Sequence, residues 1–96
     1  MMEKVLSEEA LSQIVGGENV NPADYSEEEL AQIFELYFKM YGEVDALPKL
    51  RAWGVTSGDY YLMMHQSYWD DTPYYSGPKE YRLAHLIYRR NHKNGS

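Results

Sequence analysis

Few side chains in this sequence could take part in chemistry. The three histidines, His65, His85 and His92, include no pair at the spacing of two metal ligands on one helix, and none fits a triad with a nucleophile. We expect His65 to be half-buried on a helix face. The adjacent Asp70 and Asp71 lack the spaced oxygen ligands of a calcium loop, so we interpret them as a solvated turn. The sequence therefore predicts a protein that is not an enzyme and needs no metal or cofactor.

The chain contains no cysteine, which excludes disulfides, thioether cross-links, thiolate zinc sites and a cysteine nucleophile. Its apolar runs are far shorter than the roughly 20 residues of a membrane-spanning helix. The stretch Met1–Gly17 lacks the basic flank and the continuous apolar segment of a secretory signal peptide. If the protein is exported, it must use another route.

The charge of the chain argues against nucleic acid as a partner. Its 15 acidic and 9 basic residues give a formal net charge of −6, which repels phosphate backbones and anionic lipid. The basic residues that cluster near the end, Arg89, Arg90, His92 and Lys93, are typical of the last turn of a helix, where they complement the helix dipole. We expect no direct contact with nucleic acid or with a lipid surface.

The most informative residues are the glycine pair Gly16 and Gly17, which follows a helical pattern of apolar residues. Because glycine has no Cβ, an extended Gly-Gly backbone can enter a narrow cleft and come close to a nucleophile. Upstream, Leu11 and Ile14 lie three residues apart on one helix face, and Leu6 lies a further turn back. These side chains would form an apolar ridge that fits the groove of a partner.

The segment from Leu6 to Gly17 resembles the double-glycine leaders of bacteriocin and peptide-pheromone precursors. In that family a papain-like cysteine peptidase domain, fused to an ABC transporter, cuts after the second glycine and exports the remainder. The resemblance covers residues 1–17 only. It implies a cleavage site formed by Gly16, Gly17 and Glu18, with the cut between the last two.

The resemblance also assigns the residues that the peptidase would recognise, which are Leu6, Leu11 and Ile14. Two positions differ from the usual pattern. Leaders of this family usually carry glutamate where this chain has Ala10, and often an apolar residue where it has Glu3. The partner implied is the cysteine-peptidase domain of an ABC exporter, and the membrane would be met only through that transporter.

We predict an all-α protein with a flexible leader helix at residues 1–17 and a cargo domain, residues 18–96, that forms a small bundle of about four helices. Ser7 is a plausible N-cap of the leader helix. The polar, turn-rich stretch Glu18–Pro22 marks the boundary between the two parts.

Four helices are predicted in the cargo from capping and stop signals. They begin at Ser26, with Glu29 completing a capping box; at Asp45, with Pro48 in the first turn; at Thr56–Ser57; and at Ser76–Gly77–Pro78. They end at Gly42, at Gly54, near Asp70 and at the basic cluster. The residues at helical spacing that we expect to face the core are Leu30, Ile33, Phe34, Tyr37, Met40, Tyr41, Leu47, Leu50, Trp53, Tyr61, Met64, His65, Tyr68, Tyr81, Leu83, Ala84, Leu86, Ile87 and Tyr88.

Ten tyrosines are an unusual share of so short a chain. Tyrosine can fill a small core while its hydroxyl reaches water, and it can equally anchor a protein–protein interface. Several occur in adjacent aromatic pairs, namely Tyr60–Tyr61, Tyr68–Trp69 and Tyr74–Tyr75, and Tyr81 follows the last pair. An aromatic surface that contacts a protein receptor is therefore an alternative to a purely structural role.

Together these features predict a bacteriocin-like or signalling precursor that is made in the cytoplasm and secreted once its leader is removed. The activity of the cargo is not specified by any motif. The alternative is an intracellular, acidic interaction module of the immunity or inhibitor type. In that case Gly16 and Gly17 would be a buried helix C-cap.

Overall fold

The computed structural model describes residues 6–17, 20–70 and 78–92, and every regular element within these ranges is helical. This confirms the predicted all-α class. The α-helices in chain order are α1 (Glu8–Gly16), α2 (Glu27–Tyr41), α3 (Leu47–Leu50), α4 (Ser57–Met64), α5 (Gln66–Asp70) and α6 (Lys79–His92). Two 3-10 helices, Pro22–Asp24 and Arg51–Trp53, precede α2 and follow α3. No helix of the described residues is both long enough and apolar enough to cross a membrane.

The centre of the fold is the packing of α2 against α6. Both sequences repeat apolar residues every three or four positions, which gives each helix one apolar face. From α2, Leu30, Ile33 and Phe34 are completely buried, and Leu83 and Ile87 of α6 are buried against them. The predicted core positions of these two helices are thus largely confirmed.

Side-chain hydrogen bonds cap the N-termini of α2 and α4 and so determine where these helices begin. Ser26 Oγ accepts a bond from the Glu29 amide (3.1 Å), while the Glu29 carboxylate accepts one from the Ser26 amide (2.8 Å). Thr56 and Asp59 form the same reciprocal pair at the start of α4, with distances of 3.1 and 2.9 Å. Each pair satisfies two amides that have no partner within the helix.

Glycines end two of the predicted helices as expected. Gly42 follows α2 with φ at 87°, and Gly54 follows the 3-10 helix with φ at 88°. Residues with a Cβ are strained in this region, so the fold requires glycine at both positions.

The segment between α2 and α3 differs from the prediction in two details. Asp45 is not an N-cap, since Ala46 occupies the cap position of α3 without a side-chain bond. The reason is that the chain leaves α2 through a continuous turn, in which the Ala46 amide donates to the Gly42 carbonyl (3.0 Å), so no new helix start needs capping. Met40, expected in the core, is 54% exposed at the last turn of α2.

The predicted third helix, from Thr56–Ser57 to Asp70, is broken at His65. The His65 backbone is extended (φ −97°, ψ 94°), and α5 starts anew after it. The break brings the Trp69 indole back onto α4, where its N–H donates to the Leu62 carbonyl at 2.7 Å. The hydrogen bond and burial of Trp69 therefore override the helical pattern of this segment.

The residues of this segment that face the core differ from those expected. Met63 and Trp69 are buried, whereas Tyr61, Met64, His65 and Tyr68 are exposed. For Tyr61 and Met64, which precede the break, the expected helix face was wrong, because α4 buries Asp59 and Met63 instead. The break itself accounts for His65 and Tyr68. The predicted start of the last helix at Ser76–Gly77 lies outside the described residues, as do Tyr74, Tyr75 and Lys93; α6 itself begins after Pro78.

Candidate functional site

The candidate site is α1 together with the glycine pair at its end. Ser7 is the N-cap, as predicted, and its Oγ accepts a bond from the Ala10 amide at 3.1 Å. The helix continues through Gly16, and the Gly17 amide donates to the Ile14 carbonyl at 3.2 Å. Of the three predicted cleavage-site residues, Gly16 and Gly17 are placed and exposed, and Glu18 lies outside the described residues.

Backbone conformation does not require glycine at either position of the pair. Gly17 has φ −82° and ψ 160°, an extended conformation open to any residue. A Cβ built on Gly16 would meet nothing within 4 Å, whereas one built on Gly17 would lie 3.1 Å from the Gln13 carbonyl oxygen, so this backbone would have to move by a few tenths of an ångström. Gly42 and Gly54, in contrast, are held at positive φ. The glycine pair is therefore unexplained by backbone conformation.

The predicted recognition residues all lie on the face of α1 that packs against the domain. Leu11 is 7% exposed and belongs to the hydrophobic core. Leu6 and Ile14 are half-buried and pack against the same core. The structure thus brings Leu6, Leu11 and Ile14 together on one face, as the spacing predicts, but that face is covered by the cargo.

A side chain that the sequence did not single out holds the start of α1. The Gln32 carboxamide accepts a bond from the Leu6 amide (2.9 Å) and donates one to the Leu6 carbonyl (2.8 Å). Gln32 lies on the buried face of α2 and is only 4% exposed. We call this pair of hydrogen bonds the Gln32 latch. The only sequence signal for it was a polar residue between the apolar Ala31 and Ile33.

Open grooves flank α1 on both sides. The groove between α1 and α2 is lined by Glu8, Leu11, Ser12, Gln32, Glu35, Leu36 and Lys39. The groove on the other side is lined by Ala10, Gln13, Ile14, Gly17, Val20 and Tyr25. Helix α1 therefore contacts the domain along one face only and is not enclosed by it.

A second polar cluster joins the end of α6 to the start of α4. The Arg90 guanidinium donates two bonds to the buried Asp59 carboxylate, at 2.6 and 2.9 Å, and a third to the Gly54 carbonyl at 2.8 Å. Burial raises the pKa of Asp59, but the bonds from Arg90 and Thr56 outweigh it and bring the pKa below its ordinary value of 3.8. The bonds to Asp59 raise the pKa of Arg90. This cluster connects the end of α6 to the start of α4.

The three histidines contact different residues. His85 is buried, with its Nδ1 3.3 Å from the Glu27 carboxylate. His65 is exposed, contrary to the expectation of half-burial, because the helix breaks there; its ring lies 4.6 Å from that of Tyr61. Within the described part of the chain, no three His, Asp or Glu side chains converge as metal ligands. Asp71, the second residue of the acidic pair, lies outside that part.

The tyrosines divide between core and surface. Tyr37 is buried, and its hydroxyl accepts a bond from the Trp53 indole at 3.2 Å. Tyr61 and Tyr68 are 60% and 44% exposed, and Met64 between them is 45% exposed. We refer to these last three residues as the aromatic surface.

Comparison with known proteins adds no further assignment. No family model, no curated protein and no solved structure matches this chain. The residues and contacts of α1 are therefore the features from which a function can be proposed.

Proposed function

We propose that residues 1–17 are a double-glycine export leader and that residues 18–96 are its cargo, a small acidic helical domain. The chain would be a secreted, bacteriocin-like or signalling precursor that a peptidase-containing ABC transporter cuts and exports. The observation that carries this proposal is the exposed pair Gly16–Gly17 at the end of a helix with an apolar face, where no positive φ calls for glycine.

The chemistry of cleavage accounts for what the fold leaves unexplained. A cysteine thiolate of the peptidase would attack the Gly17 carbonyl carbon, the amine of Glu18 would leave with a proton, and water would then hydrolyse the thioester. A close-fitting cleft at this point excludes side chains on the residues before the scissile bond. Exposure of the pair at the end of α1 is what a substrate site needs.

Recognition of the leader would use the helix as well as the glycines. Leu6, Leu11 and Ile14 share one face of the segment, and such a row of apolar side chains fits a hydrophobic groove. Once α1 is released from the cargo, burial of each of these side chains in the peptidase groove would contribute about 1.5 to 3 kcal/mol.

A digest with the cysteine-peptidase domain of a double-glycine exporter tests the proposal. We expect a single cut that yields a product beginning at Glu18. Gly17→Val should resist cutting, because its side chain enters the closed part of the cleft. Cleavage at another bond, or equal cleavage of wild type and Gly17→Val, would contradict the proposal.

The recognition face has its own matched pair of variants. Ile14→Ala removes an apolar contact with the peptidase and should reduce the efficiency of cleavage roughly tenfold. Val15→Ala makes a similar truncation at the neighbouring residue, outside the predicted recognition set, and should not reduce it. Equal losses in both variants would mean that helix stability, rather than a specific groove contact, controls cutting.

The cargo offers one surface for a partner outside the cell. Tyr61 and Met64 on α4 and Tyr68 on α5 are each exposed, and tyrosine is enriched where proteins bind each other. We propose this aromatic surface as the contact for a protein receptor or target.

A second candidate function is an intracellular, acidic interaction module of the immunity or inhibitor type. The observation that favours it is that Leu11 and the Gln32 latch join α1 to the domain. The exposure of Gly16 and Gly17 counts against it, because that function predicts a buried C-cap. Resistance of the wild-type chain to the peptidase would favour this second candidate.

A further inference from the structure

We propose that the cargo domain regulates its own processing, because α1 cannot be docked on α2 and bound to the peptidase at the same time. The inference rests on the proposed function. It assigns to the Gln32 latch and to the buried face of α1 the role of withholding the leader until the helix is released.

The first observation is that one set of side chains serves both contacts. Leu11, the residue at the centre of the recognition face, is 7% exposed in the docked helix. Ile14 and Leu6 also pack against the core of the domain. A peptidase groove that binds this face must replace the cargo as its partner, so the two contacts exclude each other.

The second observation is the specificity of the latch. The Gln32 carboxamide satisfies both the amide and the carbonyl of Leu6, with distances of 2.9 and 2.8 Å. Leu6 precedes the N-cap Ser7, so its amide and carbonyl lie outside the hydrogen bonds of the helix. A side chain on the buried face of α2 thereby fixes the end of α1 that is farthest from the cleavage site.

The third observation is that the docked contact is small enough to open without unfolding the domain. Leu11 is the only buried residue of α1, and open grooves flank the helix on both sides. Elements with few buried apolar contacts detach locally, while the rest of a domain stays folded. Within the described residues, α2 packs far more extensively against α6 than against α1, so most of the core remains when α1 detaches.

The expected behaviour follows from these competing states. If the released form is a minor population, the apparent affinity for the peptidase equals the affinity of the released form multiplied by the fraction of molecules that are released. Weakening the latch should raise that fraction and speed cleavage, whereas holding α1 in place should prevent cleavage. Both changes leave Gly16 and Gly17 themselves unaltered.

The first test removes the latch. Gln32→Met keeps the length and apolar burial of the side chain but removes both hydrogen bonds to Leu6. We expect it to raise the rate of cutting after Gly17 roughly tenfold at limiting peptidase. Met40→Ala, an exposed change on the same helix, serves as the control and should be cut like wild type. An unchanged or slower rate for Gln32→Met would contradict the inference.

The second test locks the helix in place. Because the chain contains no cysteine, Ser12→Cys and Glu35→Cys can be introduced as the only thiols, on opposite sides of one groove. A flexible bismaleimide would join them, and a monofunctional maleimide on both thiols is the matched control. We expect the cross-linked protein to resist the peptidase and the control to be cut after Gly17.

The two tests separate the inference from the function on which it rests. Equal cutting of cross-linked and control protein after Gly17 would overturn the regulation and leave the leader in place. Failure of the peptidase to cut wild type, Gln32→Met and control protein alike would overturn both.

Discussion

At the scale of single residues, the four glycines at the predicted helix ends fall into two groups. Gly42 and Gly54 are explained by positive φ at helix ends, while Gly16 and Gly17 have conformations that any residue can adopt. Sequence reasoning identified all four as helix stops, because glycine after an apolar pattern is a local signal. It could not separate the two groups, since φ depends on how the chain continues beyond the helix.

Gly16→Ala should change stability and processing in opposite directions. Alanine favours a helix over glycine by up to about 1 kcal/mol, and a Cβ at this position meets no neighbour, so α1 should become more stable. A peptidase cleft that excludes side chains should nevertheless cut the variant poorly. Circular dichroism and the peptidase digest measure the two effects.

The control for this variant is Gly58→Ala in α4, where a Cβ would make an ordinary contact 3.6 Å from Thr56 Oγ1. It repeats the substitution outside the leader and should leave cleavage unchanged. If Gly16→Ala is cut as fast as Gly58→Ala, the glycine at position 16 is not read by the peptidase.

The ion pair of Asp59 with Arg90 predicts a pH-dependent part of the stability. Arg90→Ala leaves a buried carboxylate without its cation and should cost about 1 to 3 kcal/mol at pH 7. The pKa of Asp59 is lowered in the fold, so this contribution is present above the ordinary value of 3.8 and is lost as the pH falls through the folded pKa. The cost of Arg90→Ala should therefore shrink at pH 3.

Urea unfolding at pH 7 and pH 3 measures this difference, and Arg89→Ala is the matched control. Arg89 is the exposed neighbour in the same helix turn and should cost little at either pH. A cost for Arg90→Ala that is as large at pH 3 as at pH 7 would show that packing of the side chain, and not the charge of Asp59, accounts for it.

At the scale of helices, the parts that could be predicted are those with local causes. The caps at Ser7, Ser26 and Thr56 depend on residues three positions apart, and all three are confirmed. The break at His65 has a tertiary cause, the return of Trp69 to the Leu62 carbonyl, and periodicity cannot reveal it.

The same distinction holds for the candidate site. Leu11 and Ile14 lie three residues apart in α1 and both pack toward the core, as the helix period predicts, and Leu6, which precedes the N-cap, packs against the same core. That this face is covered, and that Gln32 holds it from 26 residues away, depends on how α1 meets α2. Long-range contacts of this kind leave no periodic signal in a single sequence.

Removal of residues 1–17 tests whether α1 is an accessory element. The deletion should leave a cooperative unfolding transition, because the packed centre of α2 and α6 remains. Its cost should include about 1.5 to 3 kcal/mol for Leu11, together with smaller contributions from the half-buried Leu6, Ile14 and Val15 and from the Gln32 latch. Phe34→Ala, which leaves a cavity at a completely buried site, should cost about 3 to 5 kcal/mol.

Denaturant unfolding of both proteins gives the comparison. A deletion that unfolds the protein, alongside a Phe34→Ala variant that stays folded, would place the domain boundary elsewhere than between Gly17 and Glu18. Such a result would favour the intracellular module, in which α1 is an integral part of the core.

At the scale of the whole molecule, we propose two functions in one chain. The short helix α1 would direct export, and the domain, in a chain with a formal net charge of −6, would act outside the cell. The negative charge favours basic surfaces as targets and disfavours nucleic acid and anionic lipid.

Export in cells tests the central claim most directly. The chain would be co-produced with a peptidase-containing ABC transporter, and the N-terminus of any product in the medium would be read by mass spectrometry. We expect a secreted product that begins at Glu18, and retention of the uncut Gly17→Val variant in the cells. Retention of the wild-type chain beside an active transporter, or its release with residues 1–17 still attached, would contradict the account.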